Sequence, residues 1–307
     1  MNGKPLVIVL GATAVGKTDL AIQLAQALNG EIVGADSRQI YRTMDIGTAK
    51  PTPEQQATLK HYLIDVVKPD ETLSLAQYQR MALSAINEIH QRGKLPFLVG
   101  GTGQYITAIE DGWSIPEIAP DNALRDQLEA FAATEGSLAL YNRLLVLDPA
   151  YAQRTHPNNV RRVIRALEVC MLSNDTMTNL QRKQPIPYSV YHIGLTMERN
   201  ALYERADKRI QLMLDAGLMD EVAMLIKHGY SKKLPSMTSI GYRELIAVQY
   251  NELSLAEAIE RIQFATHDFI RRQEIWFRGH DRGIMWHNMA DLNRDLLTLN
   301  LQHWLSE

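Results

Sequence analysis

Short apolar runs alternate with amphipathic stretches through the first third of the chain. Helical spacing is found over residues 17–28 and 74–92, and the second stretch ends before Gly93, where a helix C-cap favours glycine. The runs with the length and β-branched content of buried strands are PLVIVL (5–10), EIVGA (31–35), HYLIDVV (61–67) and LPFLVGG (95–101). This alternation predicts an α/β fold in which helices cover both faces of a parallel sheet.

The pattern changes after residue 112. Between two proline-bearing segments, 113–122 and 183–190, the spacing is helical and no convincing strand is found. VYHIGLTM (190–197) then has the pattern of a strand that rejoins the sheet, and the chain is helical again from Arg199 onward. We therefore predict an α/β core formed by residues 1–112 and 190–307, with an all-helical insertion domain over 113–189.

Composition narrows the class of protein. Hydrophobic residues make up 46% of the chain and charged residues 22%, which suffices for a sizeable core. The single cysteine, Cys170, excludes an internal disulfide and a cysteine-based zinc cluster. We see no signal peptide and no run near the roughly 18 apolar residues of a membrane span. We expect a cytoplasmic protein with no membrane partner. The net charge of −3 does not exclude nucleic acid, because local patches decide phosphate binding.

The stretch GATAVGKT (11–18) satisfies the pattern G-x-x-x-x-G-K-[ST] directly after a predicted strand and at the start of a predicted helix. Backbone N–H groups of such a loop point at anionic oxygens, the lysine adds a positive charge and the hydroxyl suits Mg²⁺. The predicted phosphate-binding residues are Gly11, Thr13, Ala14, Val15, Gly16, Lys17 and Thr18, with Thr18 as the metal ligand.

The loop alone does not establish ATP as its ligand. A nucleotide hydrolase normally has a metal-binding acid at the end of a second buried strand, and LPFLVGG is followed by no acid. Asp65 could serve, or it could be a strand-end acid that is bonded to nearby backbone. These residues predict a polyphosphate ligand and leave the rest of that ligand open.

Two further polar loops follow predicted strands. DSRQ (36–39) comes after EIVGA, and Thr102 lies in GGTGQY (100–105). Ligands of open parallel sheets bind at the carboxyl edge of the strands, so these loops predict a site there. Asp36 has two interpretations: it caps the next turn together with Ser37, or it accepts a proton or binds metal.

Seven stretches in order resemble the tRNA dimethylallyltransferases over nearly the whole chain. They are GATAVGKT, DSRQIYRTMDIGTAKP (36–51), GGTGQYI (100–106), NVRRVIRALEV (159–169), RIQLMLDAGLMDEV (209–222), TSIGYRE (238–244) and RRQEIWFRGH (271–280). Ala12 replaces a usual proline and Gln104 a usual leucine, and neither is a proposed catalytic group.

The resemblance implies transfer of a dimethylallyl group from dimethylallyl diphosphate to N6 of adenine 37, beside the anticodon. The implied tRNAs read codons beginning with U, the implied cofactor is Mg²⁺, and no ATP is consumed. Asp36 would be the base, with Thr102 and Arg209 as the other catalytic residues, and Gln39 would contact a flipped-out adenine. The implied tRNA contacts are Asp36, Ser37, Arg38, Gln39, Thr102, Arg125, Arg161, Arg162, Arg165, Gly241, Tyr242, Arg243, Arg271, Arg272 and Arg278. We expect a monomer.

The residues leave three other functions open. A small-molecule kinase would share the phosphate loop and the sheet, an RNA chaperone would use the arginine-bearing helices alone, and a related enzyme would prenylate free adenine nucleotides. On spacing alone, arginine runs on helices are solvated or paired with local acids. Trp276 is either a stacking platform or a core aromatic.

Overall fold

The computed structural model describes residues 3–115, 118–173, 175–181, 183–280 and 283–307. Its strands are β1 (Lys4–Gly11), β2 (Gly30–Gly34), β3 (His61–Tyr62), β4 (Leu95–Gly100), β5 (Tyr188–Thr196) and β6 (Met285–Asn288). Its helices are α1 (Lys17–Ala27), α2 (Pro53–Thr58), α3 (Leu75–Gln91), α4 (Gly103–Glu110), α5 (Asn122–Glu135), α6 (Ser137–Leu147), α7 (Pro149–Gln153), α8 (Val160–Ser173), α9 (Met177–Leu180), α10 (Arg199–Asp215), α11 (Leu218–Lys227), α12 (Tyr242–Gln249), α13 (Leu255–Gly279) and α14 (Arg294–Ser306).

The strands form one parallel sheet in the order β3-β2-β4-β1-β5-β6. β1 lies between β4 and β5, and Val9 is in register with Val99 on one side and Ile193 on the other. The chain leaves β1 for β2 on one side of it and later returns to β5 on the other. The carboxyl end of β1 is therefore a topological switch point, where parallel sheets bind ligands.

Both faces of the sheet are covered, as the α/β prediction requires. Val7 and Val9 belong to one apolar cluster with residues of α1, α10, α13 and α14. The alternate residues Leu6, Ile8 and Leu10 point to the opposite face and are also buried. On the α3 side, His90 bonds to the carbonyl of Pro5 at 2.8 Å. The predicted fold class is confirmed.

The sheet differs from the prediction at both edges. The strand expected over 61–67 is only His61–Tyr62, because Leu63 (φ 63°) and Asp65 (φ 56°) adopt left-handed backbone that ends it. The prediction of helix alone after Arg199 was wrong, because Met285–Asn288 forms β6 beside β5. That strand has only half-buried and exposed residues, so it lacks the apolar run by which the inner strands were recognised.

The chain divides into two compact units. The first comprises Met1–Ser74, Tyr78–Ile109 and Pro187–Glu307, and the second comprises Leu75–Gln77 and Glu110–Ile186. The predicted limits of the insertion, 113 and 189, are each three residues further along the chain than 110 and 186. Residues 116 and 117 at the first predicted boundary, and 174 and 182 within the insertion, lie outside the described residues.

The second unit has its own core, built by Leu128, Leu140, Leu144, Val163 and Leu167 of helices α5, α6 and α8. In the described part of this unit, Trp113 and Lys183 form an isolated antiparallel bridge. Across the described ranges of both units, no helix has the length and apolar content needed to cross a bilayer.

Candidate active site

The glycine loop closes tightly between β1 and α1. Gly16 is the N-cap of α1 with left-handed backbone (φ 105°), and Ala14 is also left-handed (φ 63°). The free N–H groups at the start of α1 belong to Lys17, Thr18 and Asp19, which line a cavity together with Thr13, Ala14 and Gly16. A helix N-terminus with its N–H groups unpaired attracts anions.

Lys17 provides the mobile charge of this loop. Its Nζ donates a hydrogen bond of 2.8 Å to the carbonyl of Ala12. Burial lowers the pKa of Lys17 to about 8, while the charge of Asp36 raises it and that of Arg209 lowers it. The charges of Asp36 and Arg209 are therefore close enough to Lys17 to change its pKa, although the three residues come from separate parts of the chain.

Asp36 lies directly after β2 and both interpretations of it have geometric support. Its Oδ1 accepts hydrogen bonds from the N–H groups of Arg38 at 2.8 Å and Gln39 at 3.4 Å, so it caps the following turn. None of the described residues donates a hydrogen bond to Oδ2, and Asp36 lines the cavity that contains Lys17. Oδ1 therefore stabilises the turn, and Oδ2 is free to accept a hydrogen bond or a proton.

Thr102 joins the loops after β2 and β4. Its Oγ1 accepts the N–H of Ser37 at 3.0 Å and lies 3.3 Å from the hydroxyl of Ser37, while its own N–H bonds to the carbonyl of Ala35 at 3.1 Å. The sequence predicts these two loops at one edge of the sheet, and in the structure they are in direct contact.

Two cavities meet at this edge. The first, of about 580 Å³, is lined by the phosphate loop, Asp36, Gln39 and Lys50, and by Arg205, Lys208 and Arg209 of α10. The second, of about 380 Å³, is lined by Ser37, Arg38 and Thr102 and by apolar residues that include Ile210, Met213, Ile262 and Phe269. Both contain Thr13, Ala14, Asp36, Thr48, Ala49 and Arg209.

The cations of α10 face the first cavity. Burial lowers the pKa of Arg209, the nearby charge of Asp36 raises it, and that of Arg205 lowers it. No hydrogen bond or ion pair joins Arg209 to another described residue, so its donors are available to an anion. Arg209 was predicted from the sequence, whereas Arg205 and Lys208 were not, although all three lie on α10 within two turns.

Other predicted side chains at this edge form hydrogen bonds within the protein, which leaves fewer of their polar atoms for a substrate. The Nε2 of Gln39 donates to the carbonyls of Thr48 at 3.3 Å and Ala49 at 3.0 Å, which leaves Oε1 as its free polar atom. The guanidinium of Arg38 donates to the carbonyl of Pro235 at 2.8 Å. Asp65 is not in either cavity, and its carboxylate bonds instead to Lys50 at 2.5 Å.

The residues of the segment 241–243 differ in exposure, because Gly241 and Tyr242 are buried and Arg243 is exposed. Gly241 and Arg243 line the second cavity, and Arg243 pairs with the buried carboxylate of Glu244. Tyr242 is fully buried and its hydroxyl donates to Glu221. The Tyr242 side chain therefore has a structural partner, and the predicted tRNA contact at this residue stays a prediction that only its backbone could fulfil.

In the second unit, two predicted arginines pair with a buried acid. Arg125 and Arg165 both bond to Glu168, whose side chain is fully buried and also accepts the N–H of Asp121. Burial raises the pKa of Glu168, and these hydrogen bonds outweigh it, so the pKa lies below its ordinary value. Arg125 and Arg165 therefore have a structural duty in the helical unit.

The other two predicted arginines of this unit are exposed. Arg162 donates to the hydroxyl of Tyr151 at 3.2 Å. Arg161 forms no hydrogen bond or ion pair with another residue of the described ranges. The four arginines are therefore of two kinds, which their spacing in the sequence does not distinguish.

Helix α13 carries three further predicted arginines. Arg271 and Arg272 are exposed and both pair with Asp268, and Arg272 also lines the second cavity. Arg278 lies over the ring of Trp286 at 5.8 Å. Trp276 is half-buried, stacks on His280 at 4.5 Å and packs against Gly103, which fits the core interpretation of this residue.

A metal ion at this site would be held mainly by the phosphates of the bound substrate. No cluster of three or more His, Cys, Asp or Glu side chains is found in the described part of the chain. The Thr18 hydroxyl and the Asp36 carboxylate line the same cavity. Mg²⁺ characteristically binds through one or two protein oxygens together with substrate phosphates and water, and these residues fit that mode.

Together, a parallel sheet, a glycine loop opening a helix at the switch point and a cavity lined by cations define a phosphate-loop α/β architecture. Residues 39–280 match the family model described as IPP transferase. The tRNA dimethylallyltransferase of Roseiflexus sp. (strain RS-1) is 52% identical over 274 residues, which cover 89% of this chain and 90% of that protein. The chain belongs to the IPP transferase family, and the resemblance noted in its sequence is confirmed.

The chain is also similar to solved structures of tRNA isopentenyl- and dimethylallyltransferases. The full-length tRNA isopentenylpyrophosphate transferase of Bacillus halodurans is 40% identical with a TM-score of 0.72, covering 99% of this chain and 96% of that one. A eukaryotic dimethylallyltransferase acting on tRNA is 25% identical with a TM-score of 0.77, covering 99% of this chain and 80% of that one.

Proposed function

We propose that this protein transfers the dimethylallyl group of dimethylallyl diphosphate to N6 of adenine 37 in tRNAs that read codons beginning with U. The products are N6-isopentenyladenosine and diphosphate. The observation that carries the proposal is that the phosphate loop, Arg209 and the free oxygen of Asp36 face one another where the two cavities meet. Membership of the IPP transferase family supports the same chemistry. We place the reaction in the cytoplasm, where tRNA is found.

The first cavity would hold the diphosphate. The N–H groups at the start of α1, Lys17 and the cations of α10 all face it, and such donors stabilise the charge that develops on a leaving diphosphate. Mg²⁺, held by the phosphates and Thr18, would neutralise part of that charge.

The second cavity would admit the adenine. Its lining is more apolar than that of the first, and Phe269 and Met213 offer surfaces for a base or a prenyl chain. A base stacked in an anticodon loop cannot reach this depth, so adenine 37 would be flipped out of the loop. Thr102 lines this cavity and Gln39 lines the adjoining first cavity with its Oε1 free, so these two residues would supply polar contacts to the base.

Asp36 would act as the base. The adenine amine is a poor nucleophile because its lone pair is delocalised into the ring. As N6 attacks the allylic carbon, the bond from that carbon to the diphosphate oxygen breaks, and the N6 proton moves to the Oδ2 of Asp36. Oδ1 keeps its bonds to the turn, so the carboxylate does not have to reorient during the step.

The decisive experiment incubates the protein with labelled dimethylallyl diphosphate, Mg²⁺ and unmodified tRNA, then digests the tRNA to nucleosides. We expect label in N6-isopentenyladenosine that maps to position 37. A tRNA with guanine at position 37 is the matched control, because guanine lacks the N6 amine.

The same preparation is tested with ATP and with free adenine nucleotides. Turnover of ATP without label in tRNA would favour a kinase, and label in free nucleotides but not in tRNA would favour the smaller acceptor. Binding of tRNA without transfer of the prenyl group would favour the function of an RNA chaperone. Each of these results would contradict the proposal.

A further inference from the structure

Gln273 joins two loops of the site from a distant part of the sequence. Its Oε1 accepts the N–H of Thr13, in the phosphate loop, at 2.8 Å, and its Nε2 donates to the carbonyl of Gly101 at 2.9 Å. The side chain is 6% exposed and lies on α13. Thr13 lines both cavities. Thr102, the residue after Gly101, lines the second cavity.

The contact is close enough to restrict both partners. A Cβ at Gly101 would lie 2.4 Å from the Nε2 of Gln273, so only glycine leaves room for this amide. An unpaired buried N–H or carbonyl costs free energy comparable to a lost hydrogen bond. The Gln273 amide is the group that satisfies the Thr13 N–H and a Gly101 carbonyl lone pair at this depth.

The chemistry favours glutamine at this position. Its amide presents one acceptor and one donor at the tip of one side chain, which matches an N–H and a carbonyl that face each other. An ionised glutamate would satisfy Thr13 and repel the Gly101 carbonyl, and methionine would satisfy neither.

We propose that Gln273 is a positioning residue that holds the phosphate loop and the Thr102 loop in register. In that register the leaving diphosphate and the attacking adenine amine lie on opposite sides of the same allylic carbon. The inference rests on the proposed function and adds to it a residue that touches neither substrate.

Gln273→Met and Gln273→Glu test this role, with Gln79→Glu as the matched control. Gln79 is also buried on a helix and donates to a carbonyl, that of Ala108, but it lines neither cavity. For Gln273→Met we expect a loss of about 100-fold in kcat and weaker binding of inorganic diphosphate, because displaced reacting groups cost about that factor. The affinity for tRNA stays within about twofold of wild type.

The pH profile separates positioning from general damage. In Gln273→Glu, burial and the Gly101 carbonyl raise the pKa of the new carboxyl, and its protonated form can donate to that carbonyl. Relative to wild type at the same pH, kcat of Gln273→Glu should be about 100-fold low near pH 8 and recover to within about tenfold near pH 6. The charged residues Lys17, Asp36 and Arg272 on the surrounding elements are present in both proteins, so the ratio of the two rates at each pH reports the effect of adding the carboxyl.

The inference is overturned if Gln273→Met keeps wild-type kcat and diphosphate affinity, or if Gln79→Glu shows the same recovery in acid. It is also overturned if the deficit of Gln273→Glu is the same at both pH values. Should the wild type transfer no prenyl group, the proposed function fails, and inorganic diphosphate binding by the two Gln273 variants still decides the role of the amide.

Discussion

The hydroxyl of Tyr242 donates a hydrogen bond of 2.5 Å to the carboxylate of Glu221, and both side chains are buried. Glu221 also accepts the N–H groups of Asp45 and Ile46, each at 2.8 Å, and of Gly47 at 3.2 Å. Gly47 packs directly on the Tyr242 ring, where a Cβ would lie 2.5 Å from the ring. This pair therefore fixes the start of the segment that continues to Thr48 and Ala49, which line both cavities.

Tyr242→Phe removes the hydroxyl and keeps the ring. Glu221 loses one of its four donors, so we expect a loss of about 1–3 kcal/mol in the free energy of unfolding, measured in urea. The affinity for tRNA should be unchanged, because this hydroxyl is buried and bonded to Glu221. A weaker tRNA affinity at unchanged stability would show that the hydroxyl itself contacts RNA.

Asp36→Asn and Asp36→Ala separate the two duties of Asp36. An asparagine Oδ1 still accepts the N–H groups of Arg38 and Gln39, so the turn survives, but the side chain no longer takes a proton. We expect Asp36→Asn to lower kcat by about 100- to 10,000-fold with tRNA affinity retained. Asp36→Ala should show the same loss of rate and, in addition, weaker binding of tRNA, since the turn loses its cap. Wild-type turnover by Asp36→Asn in single-turnover assays would mean that another group is the base.

The parts of the site predicted from sequence are those encoded by neighbouring residues. The phosphate loop, Asp36 and Thr102 each follow a buried strand directly, and parallel strands bring their carboxyl ends to one edge. Gln273 was not predicted as part of the site, because its partners Thr13 and Gly101 are 260 and 172 residues away in the sequence. Its position in an amphipathic helix carried no signal of that contact.

Fold prediction failed where local sequence and tertiary context disagree. HYLIDVV has a strand-like pattern, but the left-handed backbone at Leu63 and Asp65 ends β3 after two residues. Likewise, Arg125 and Arg161 look alike in sequence, and only the position of Glu168 shows that the first is a structural partner. Side-chain partners of this kind depend on packing between helices, which the periodicity of one helix does not specify.

Arg161→Gln and Arg125→Gln should affect different properties. Arg161→Gln is expected to weaken tRNA binding and to reduce the slope of log affinity against log salt by about 0.7, the value for one phosphate contact on a single strand. Arg125→Gln leaves the buried Glu168 with fewer donors, so we expect a loss of about 1–3 kcal/mol in stability, read from hydrogen exchange of α5 and α8. Equal salt slopes for wild type and Arg161→Gln would remove Arg161 from the phosphate contacts.

The lowered pKa of Lys17 predicts a pH dependence for binding of the prenyl donor. In the free protein, burial lowers this pKa from 10.5 to about 8. Below pH 8 the buried ammonium is charged and therefore destabilises the folded protein. That cost is relieved as the pH rises from about 8 toward 10.5, where the unfolded chain binds more protons than the folded one. A bound diphosphate reverses the balance, because its negative charge favours the ammonium and raises the pKa again.

Binding of dimethylallyl diphosphate above pH 8 should therefore take up a proton, and its affinity should fall by up to about tenfold per pH unit. Calorimetry in two buffers of different ionisation enthalpy measures the uptake directly. Lys17→Arg is the control, because a guanidinium stays charged across this range and should give a flat profile with no uptake. If wild type and Lys17→Arg show the same profile, the titrating group is not Lys17, and the charge that meets the diphosphate comes from the cations of α10 and the N–H groups of the loop.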